Sequence, residues 1–408
     1  MRRKHTPLNA KSLFSALLVL FALNFPALAV NAGDELPFGK IFLGMSTALT
    51  GPASDLGRNM LLGVRARLAE ENRRGGIKGR PLHLITRDDG YEPDRAARNV
   101  RYLIEIEKVL TIIGNVGTPT AISAIPIINE KQTLFFAPFT GAGVLRKSPP
   151  DKYVINYRAS YAEETSAMID ALMSSGKVAL DEIAFFTQRD GYGDAGYLGG
   201  ITALLKHGLV SEALITHSRY DRNTLAVENS IADILLAKPV PKVIIMVGAY
   251  APSAHFIRLA REVGINALFL NVSFVGSTSL ARELGSAAER VMVTQVVPHP
   301  DDELLPLVRK YTKSLFEYDP QSKPSFGSFE GYISAEILML ALNSLQSEPT
   351  RENIVEALEG LGRFDIGMGE ELYLDAQNHQ ASHKVWPTLL KKGKFVSFNW
   401  AEIEHLLR

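Results

Sequence analysis

The sequence predicts an α/β protein of two Rossmann-like, doubly wound lobes joined by a multi-crossing hinge, and three observations carry that expectation. From Lys40 onward, short β-branched or aromatic runs alternate with amphipathic segments of helical period, the pattern of βαβ units around a parallel sheet. The alternation pauses near the Pro149-Pro150 turn and then begins again, so a second doubly wound unit follows the first. The 408 residues suffice for two ordinary domains, yet no Gly/Ser-rich or Pro-rich linker and no internal repeat divides them. Lobes without a tether are joined by several short crossings, which make a hinge.

In the first unit the runs at 41–45, 82–86, 109–114 and 133–137 read as strands, separated by helices over 57–72, 93–107 and 118–130. Pro93 opens the second helix at a position where its missing N–H costs nothing. In the second unit, strands near 182–187, 213–217, 243–247 and 267–270 alternate with helices near 194–207, 224–237 and 251–263. Helices near 301–318 and 326–345 and a β-rich stretch over 372–398 complete the lobes.

Composition narrows the function. Hydrophobic residues make up 46% and charged residues 22%, as in a folded globular chain. Lys plus Arg balances Asp plus Glu at 44 each, so no excess of positive charge marks a nucleic-acid binder. Arg2, Arg3, Lys4 and Lys11 precede an apolar run at 13–23, and Pro26 followed by Ala27-Leu28-Ala29 offers a small-residue cleavage site. That run of eleven residues is shorter than the roughly 20 needed to span a bilayer. A cleaved signal peptide over residues 1–29 is therefore expected, with Ala32 as an alternative cut. Cleavage leaves 40 basic against 44 acidic side chains, a net charge of −4. With no cysteine, disulfides, thiolate metal sites, a thiol nucleophile and a lipid-anchored cysteine are all excluded. The expected location is the periplasm, in freely diffusing form.

Signals for catalysis are thin. The chain has no H-E-x-x-H, G-x-S-x-G or Walker A loop, and its nine histidines lack ligand spacing, so neither an enzyme nor a metal site is expected. His83 lies inside a strand pattern. Ser174-Ser175-Gly176-Lys177 spells S-x-x-K, but at a helix end where glycine terminates, and no K-T-G accompanies it. Asp88 and Asp89 precede a Pro-initiated helix, where carboxylates favour the dipole. Gly191-Tyr192-Gly193-Asp194-Ala195-Gly196 satisfies G-x-G-x-x-G and keeps a dinucleotide-dependent enzyme as a remote alternative. Three residues separate it from its strand, however, and no clean acidic residue ends the next one. These glycines read better as a tight turn with close backbone approach, and no cofactor is expected.

Leu49-Thr50-Gly51-Pro52, Gly75-Gly76-Ile77-Lys78-Gly79 and Asp88-Asp89-Gly90-Tyr91 follow one another in the first unit. Gly114-Asn115-Val116-Gly117-Thr118, Ala137-Pro138-Phe139-Thr140-Gly141, Gln188-Arg189-Asp190-Gly191-Tyr192-Gly193 and Gly248-Ala249-Tyr250 continue the series. In order and spacing this set resembles the branched-chain amino acid (leucine/isoleucine/valine) binding protein family, the type I periplasmic solute-binding proteins of ABC transporters. The resemblance covers essentially everything after the leader. It implies two lobes that close on a solute, with crossings near 155, 296 and 368, hence lobes of 36–155 plus 297–368 and 156–296 plus 369–408. It further implies a small carboxylate-bearing solute, permease subunits as partners, and a monomer.

Ligands of open α/β sheets sit beyond the carboxyl ends of the strands, where helix N-termini present unpaired N–H groups. Gly117-Thr118-Pro119-Thr120 occupies such a place. Its N–H groups and the hydroxyls of Thr118 and Thr120 can hold a carboxylate without an arginine, although the same residues suit a plain helix cap. Thr140 and Gly141 follow the next strand in the same way. Tyr192 and Tyr250 match positions where the family closes aromatic side chains over the solute. Ser273 stands where the family's amino acid binders place an acid for the ligand ammonium. An unpaired buried ammonium is costly, so either a residue such as Asp190 substitutes or the solute is an amine-free acid or amide. A sensor of the same fold that reports to a membrane receptor is the second reading.

Overall fold

The computed structural model of the protein describes residues 39–407, and the expected signal peptide lies outside them. The first unit runs β1 (Ile41–Thr47), α1 (Ser54–Arg73), β2 (Leu82–Asp88), α2 (Pro93–Glu105), β3 (Thr111–Ile113), α3 (Thr118–Glu130), β4 (Leu134–Phe136) and β5 (Val154–Ile155). Its strands form one parallel sheet in the order β2-β1-β3-β4-β5. The second runs α4 (Tyr161–Ser175), β6 (Ile183–Gln188), α5 (Gly191–Lys206), β7 (His217–Tyr220), α6 (Glu228–Leu236), β8 (Val243–Val247), α7 (Tyr250–Glu262), β9 (Leu268–Asn271), α8 (Ser277–Leu284) and β10 (Val291–Gln295). The helices α9 (Pro306–Tyr318), α10 (Phe326–Ser344) and α11 (Asn353–Glu359) follow, then a hairpin of β11 (Gly362–Phe364) and β12 (Leu372–Leu374), then β13 (Trp386–Lys391) and β14 (Lys394–Ser397). The second sheet has the order β14-β13-β10-β9-β8-β6-β7, parallel except where β13 meets β10 and β14.

The chain thus leaves the first sheet after β5, comes back after β10 to lay α9 and α10 against α1, and enters the second sheet again with β13. Local chemistry sets several of these boundaries. Ser160 and Glu163 form a capping box at the start of α4, and Gly176 ends that helix in the left-handed region with φ 64°. Pro93 occupies the first turn of α2, as its position predicts.

One expected strand is displaced. Residues Glu212–Leu214 make a 3-10 turn, and the strand is His217–Tyr220. β7 lies at the sheet edge with only Ser218 and Tyr220 buried, so its polar half hides it from a search for apolar runs. Helices α4, α8 and α11 and strands β5, β10 and β11 have no counterpart in the sequence reading.

The tightest packing joins α1 to α10. A Cβ on Gly63 would lie 1.8 Å from the Ser328 carbonyl oxygen, and one on Gly331 2.2 Å from that of Met60, so only glycine lets the two backbones meet. Around this crossing the buried Arg67 pairs with Glu336 and Glu71, while Ser314 and Tyr332 donate to Glu70. Gly63→Ala is expected to cost about 3 kcal/mol in urea denaturation through overpacking. Gly143→Ala, where a Cβ meets nothing within 4 Å, is expected to stay within about 0.5 kcal/mol of wild type.

Candidate functional site

The carboxyl ends of the two parallel sheets face each other across a seam, and the residues named from the sequence are distributed along it. On the first side, Gly117 precedes α3 at φ 100° and ψ 154°, and a Cβ there would come 2.1 Å from the Tyr91 ring. Thr118 and Thr140 are fully buried and share a hydrogen bond of 2.6 Å between their hydroxyls. The Gly141 carbonyl accepts from the Tyr161 N–H at 2.8 Å, and a Cβ at 141 would lie 2.6 Å from that nitrogen. The Thr120 hydroxyl turns inward, donating to the carbonyls of Val116 and Gly117 and accepting from Asn115, so its geometry is that of an internal tie for α3.

On the second side, Tyr192 is fully buried at the start of α5, its hydroxyl donating to the Gly248 carbonyl at 3.3 Å. Tyr250 is 6% exposed and lies against Gly276, beside Leu56. Ser273 donates to Glu164 from its N–H (2.7 Å) and its hydroxyl (2.9 Å), and accepts from the Arg158 guanidinium. Asp190 accepts from the Tyr192 N–H and Gln188 and pairs with Arg222, so its oxygens are already engaged.

Between the two sides stand aromatic rings. Phe274, fully buried, packs on Tyr192 (4.6 Å between centroids), Phe139 (5.5 Å) and Tyr91 (6.0 Å), and Tyr161 adjoins Tyr192 at 5.2 Å. Hydrogen bonds cross at both ends of the seam. Gln188 donates to the Tyr91 hydroxyl, Arg222 and Asn223 bind Glu92, and Ser279 and Arg282 bind Asp55. Beside the rings lies a narrow cavity of about 30 Å³, room for about one water, with Leu56, Phe139, Ser273, Gln295, Phe326 and Glu330 in its wall.

The centre of the seam is charged, and the residues responsible were not picked out from the sequence. Arg158, 1% exposed, places its guanidinium 4.8 Å above the Phe139 ring and 3.5 Å from both Glu164 and Glu330. Its Nε and Nη1 find no hydrogen-bond acceptor among the described residues. Glu164 is satisfied by Ser273 and Thr294. Glu330 accepts no hydrogen bond from any described residue. Burial pushes Glu330 up to about 7, with Arg158 pulling it partly back and Glu164 adding to the rise. Burial likewise raises Glu164, against the pull of Arg158, Thr294 and Ser273. A readable signal existed for Glu330, since it and Glu336 are the only acids in the apolar run of α10. Arg158 gave none beyond its place after a short strand.

The other motifs are absorbed by the fold. Burial raises Asp88, but donors from Thr50, Leu49 and Gly90 outweigh it and hold the carboxyl at about 2. Asp89 is pushed by burial to about 6 and accepts from Ser46 and the Tyr91 N–H. Both acids fasten the turns that carry Thr50 and Tyr91. In the G-x-G-x-x-G run, a Cβ at Gly193 would meet the Gln188 carbonyl oxygen at 1.9 Å and one at Gly196 the Val247 side chain at 2.6 Å, so the glycines serve helix-on-strand packing. Among the described residues no group of three or more His, Cys, Asp or Glu could hold a metal ion.

The raised acid links stability to pH. A carboxyl held at about 7 in the fold against an ordinary 4.5 keeps its proton more tightly when folded. Its stabilising share is full below about pH 4.5 and is lost as pH rises through about 7, at most about 3 kcal/mol. Glu330→Gln cannot ionise, so its stability relative to wild type is expected to improve between about pH 5 and about pH 8. Urea titrations at the two pH values read this directly, and a gap independent of pH would contradict it.

A family model described as periplasmic binding protein matches residues 40–394. Among curated relatives, Leu/Ile/Val-binding protein homolog 2 of Brucella abortus (strain 2308) is 23% identical over 379 residues, covering 92% of this chain and 94% of the relative. A solved structure, a possible leucine/isoleucine/valine-binding protein from Rhodopirellula baltica SH 1, is 48% identical with a TM-score of 0.88, covering 91% of this chain and 99% of that one. A substrate-binding periplasmic protein from Ralstonia solanacearum is 27% identical with a TM-score of 0.79, covering 86% and 97%. With two parallel sheets meeting at their carboxyl ends and matches that span both, the chain belongs to the periplasmic binding protein family, in its type I, leucine/isoleucine/valine-binding branch.

Proposed function

We propose that this solute-binding protein captures a small carboxylate-bearing solute, a branched-chain or related amino acid, between its lobes and delivers it to the permease subunits of an ABC transporter. The observation that carries the reading is the seam itself. Buried polar and aromatic groups from both sheets converge there, and a solute touching both sides stabilises the closed arrangement over the open one. The lobes on this reading are 36–155 plus 297–368 and 156–296 plus 369–408, and residues 1–29 are a signal peptide that sends the mature chain to the periplasm. The Thr118–Thr140 hydroxyl pair at the start of α3 supports a carboxylate position, because hydroxyls and helix N–H groups together receive an anion. The similarity at 48% identity to a possible leucine/isoleucine/valine-binding protein favours the amino acid class.

One observation favours the alternative of an amine-free acid or amide. The Ser273 hydroxyl offers no charge and is already engaged by Glu164 and Arg158. A thermal-shift screen of amino acids, aliphatic and aromatic carboxylates, amides and NAD(P) separates these readings, since a ligand of the folded state raises Tm. A branched-chain amino acid is expected to give the largest shift, and small-angle scattering at saturation is expected to show a more compact particle. A shift with NAD(P) alone, or an unchanged envelope, would contradict the proposal. The double variant Thr118→Ala/Thr140→Ala is expected to weaken binding at least about tenfold in calorimetric titration, the worth of a charge-assisted hydrogen bond.

A further inference from the structure

We infer that Glu330, at the start of α10, is the group that receives the ammonium of the solute. The inference rests on the proposed reading that the seam takes an amino acid, and it adds the residue that selects an amine over its absence.

The acids around the seam divide cleanly by what their oxygens already hold. Glu164 accepts from the Ser273 N–H, the Ser273 hydroxyl and Thr294. Asp190 is held by Tyr192, Gln188 and Arg222, and Asp55 by Ser279 and Arg282. Asp89 is held by Ser46 and Tyr91, and Glu92 by Arg222 and Asn223. Glu330 alone in this set is 3% exposed, accepts no hydrogen bond from a described residue, and stands in the cavity wall. Its one ionic neighbour, Arg158, is 3.5 Å away, beyond good hydrogen-bond distance. A buried carboxylate with free oxygen valence is costly unless something completes it, and a bound ammonium supplies both the charge and the donors.

The surroundings fit an alkylammonium with an apolar substituent. Ser277 and Ser325 line the same cavity, their hydroxyls tied to Gln295 and to Asn59 and Ser328, while Leu56, Phe139, Phe326 and Val297 form apolar wall. The low accessibility of the centre also favours a zwitterion. Arg158 stands between Glu164 and Glu330, and a zwitterion, being neutral overall, adds no net charge to this buried group.

Calorimetric titration of the mature protein with L-leucine, L-isoleucine and L-valine, each paired with its des-amino acid, tests this. Wild type is expected to prefer the amino acid by about a hundredfold or more, and Glu330→Gln to lose about thirtyfold or more in amino acid affinity while the des-amino acid changes by less than about threefold. Glu330→Asp is expected to recover part of the preference. An undiminished preference in Glu330→Gln overturns the inference and leaves the amino acid reading intact. Equal binding of the two partners by wild type overturns the inference and leaves a small-carboxylate receptor, and binding of neither overturns the proposed function and the inference with it. A crystal structure of wild type with its tightest amino acid needs no variant. An ammonium nitrogen within hydrogen-bond distance of a Glu330 oxygen supports the assignment, and one bound elsewhere overturns it.

Discussion

The charged centre of the seam is arranged around one buried arginine. Arg158 follows the first crossing of the chain, and its guanidinium touches groups from both sheets' sides: Phe139 and Glu330 on one, Glu164 and Ser273 on the other. Removing such a charge from water is expensive, and the protein offsets the cost with two carboxylates, a hydroxyl and the face of an aromatic ring. Because these partners come from β4's loop, α4, the segment after β9 and α10, the cation specifies how four distant parts of the chain meet.

Satisfaction at this centre is uneven. Glu164 is fully hydrogen-bonded, whereas Glu330 and two Arg158 nitrogens are not. A complete network would rigidify the centre of the seam, and an incomplete one next to a cavity leaves room for a further polar group. Apolar closure is handled separately, by Phe274 wedged among Tyr91, Phe139 and Tyr192. Charge and shape are thus supplied by different residues within one seam.

The alternation of apolar runs made the parallel units legible in the sequence, because central strands such as Val243–Val247 are buried on both faces and appear as continuous apolar runs. The edge strand β7 was displaced in that reading because half of its side chains are polar. Turn glycines and hydroxyls placed Gly117, Thr118, Thr140 and Gly141 near the seam, since these residues act through local backbone geometry. The pairing of Arg158 with Glu330 is illegible for the opposite reason: it joins segments 172 residues apart, which no local pattern encodes, although an acid in the apolar run of α10 marks Glu330 itself. Thr120 shows the limit of pattern alone, as a hydroxyl suited to a ligand is spent on the carbonyls of its own helix.

The contacts that bridge the seam at its outer ends are of a weaker kind. Arg282 is 58% exposed where it meets Asp55, and Glu92 is 43% exposed where it meets Arg222. Ion pairs that face water contribute about 0–1 kcal/mol each, so they orient the lobes without locking them. On the proposed reading, the balance between open and closed arrangements is then left to the interior, where desolvated groups interact strongly and where a solute would add contacts on both sides at once. A strong outer latch would close the protein whether or not a solute were present. On the proposed reading, weak outer pairs around an incompletely satisfied centre make closure depend on what enters it.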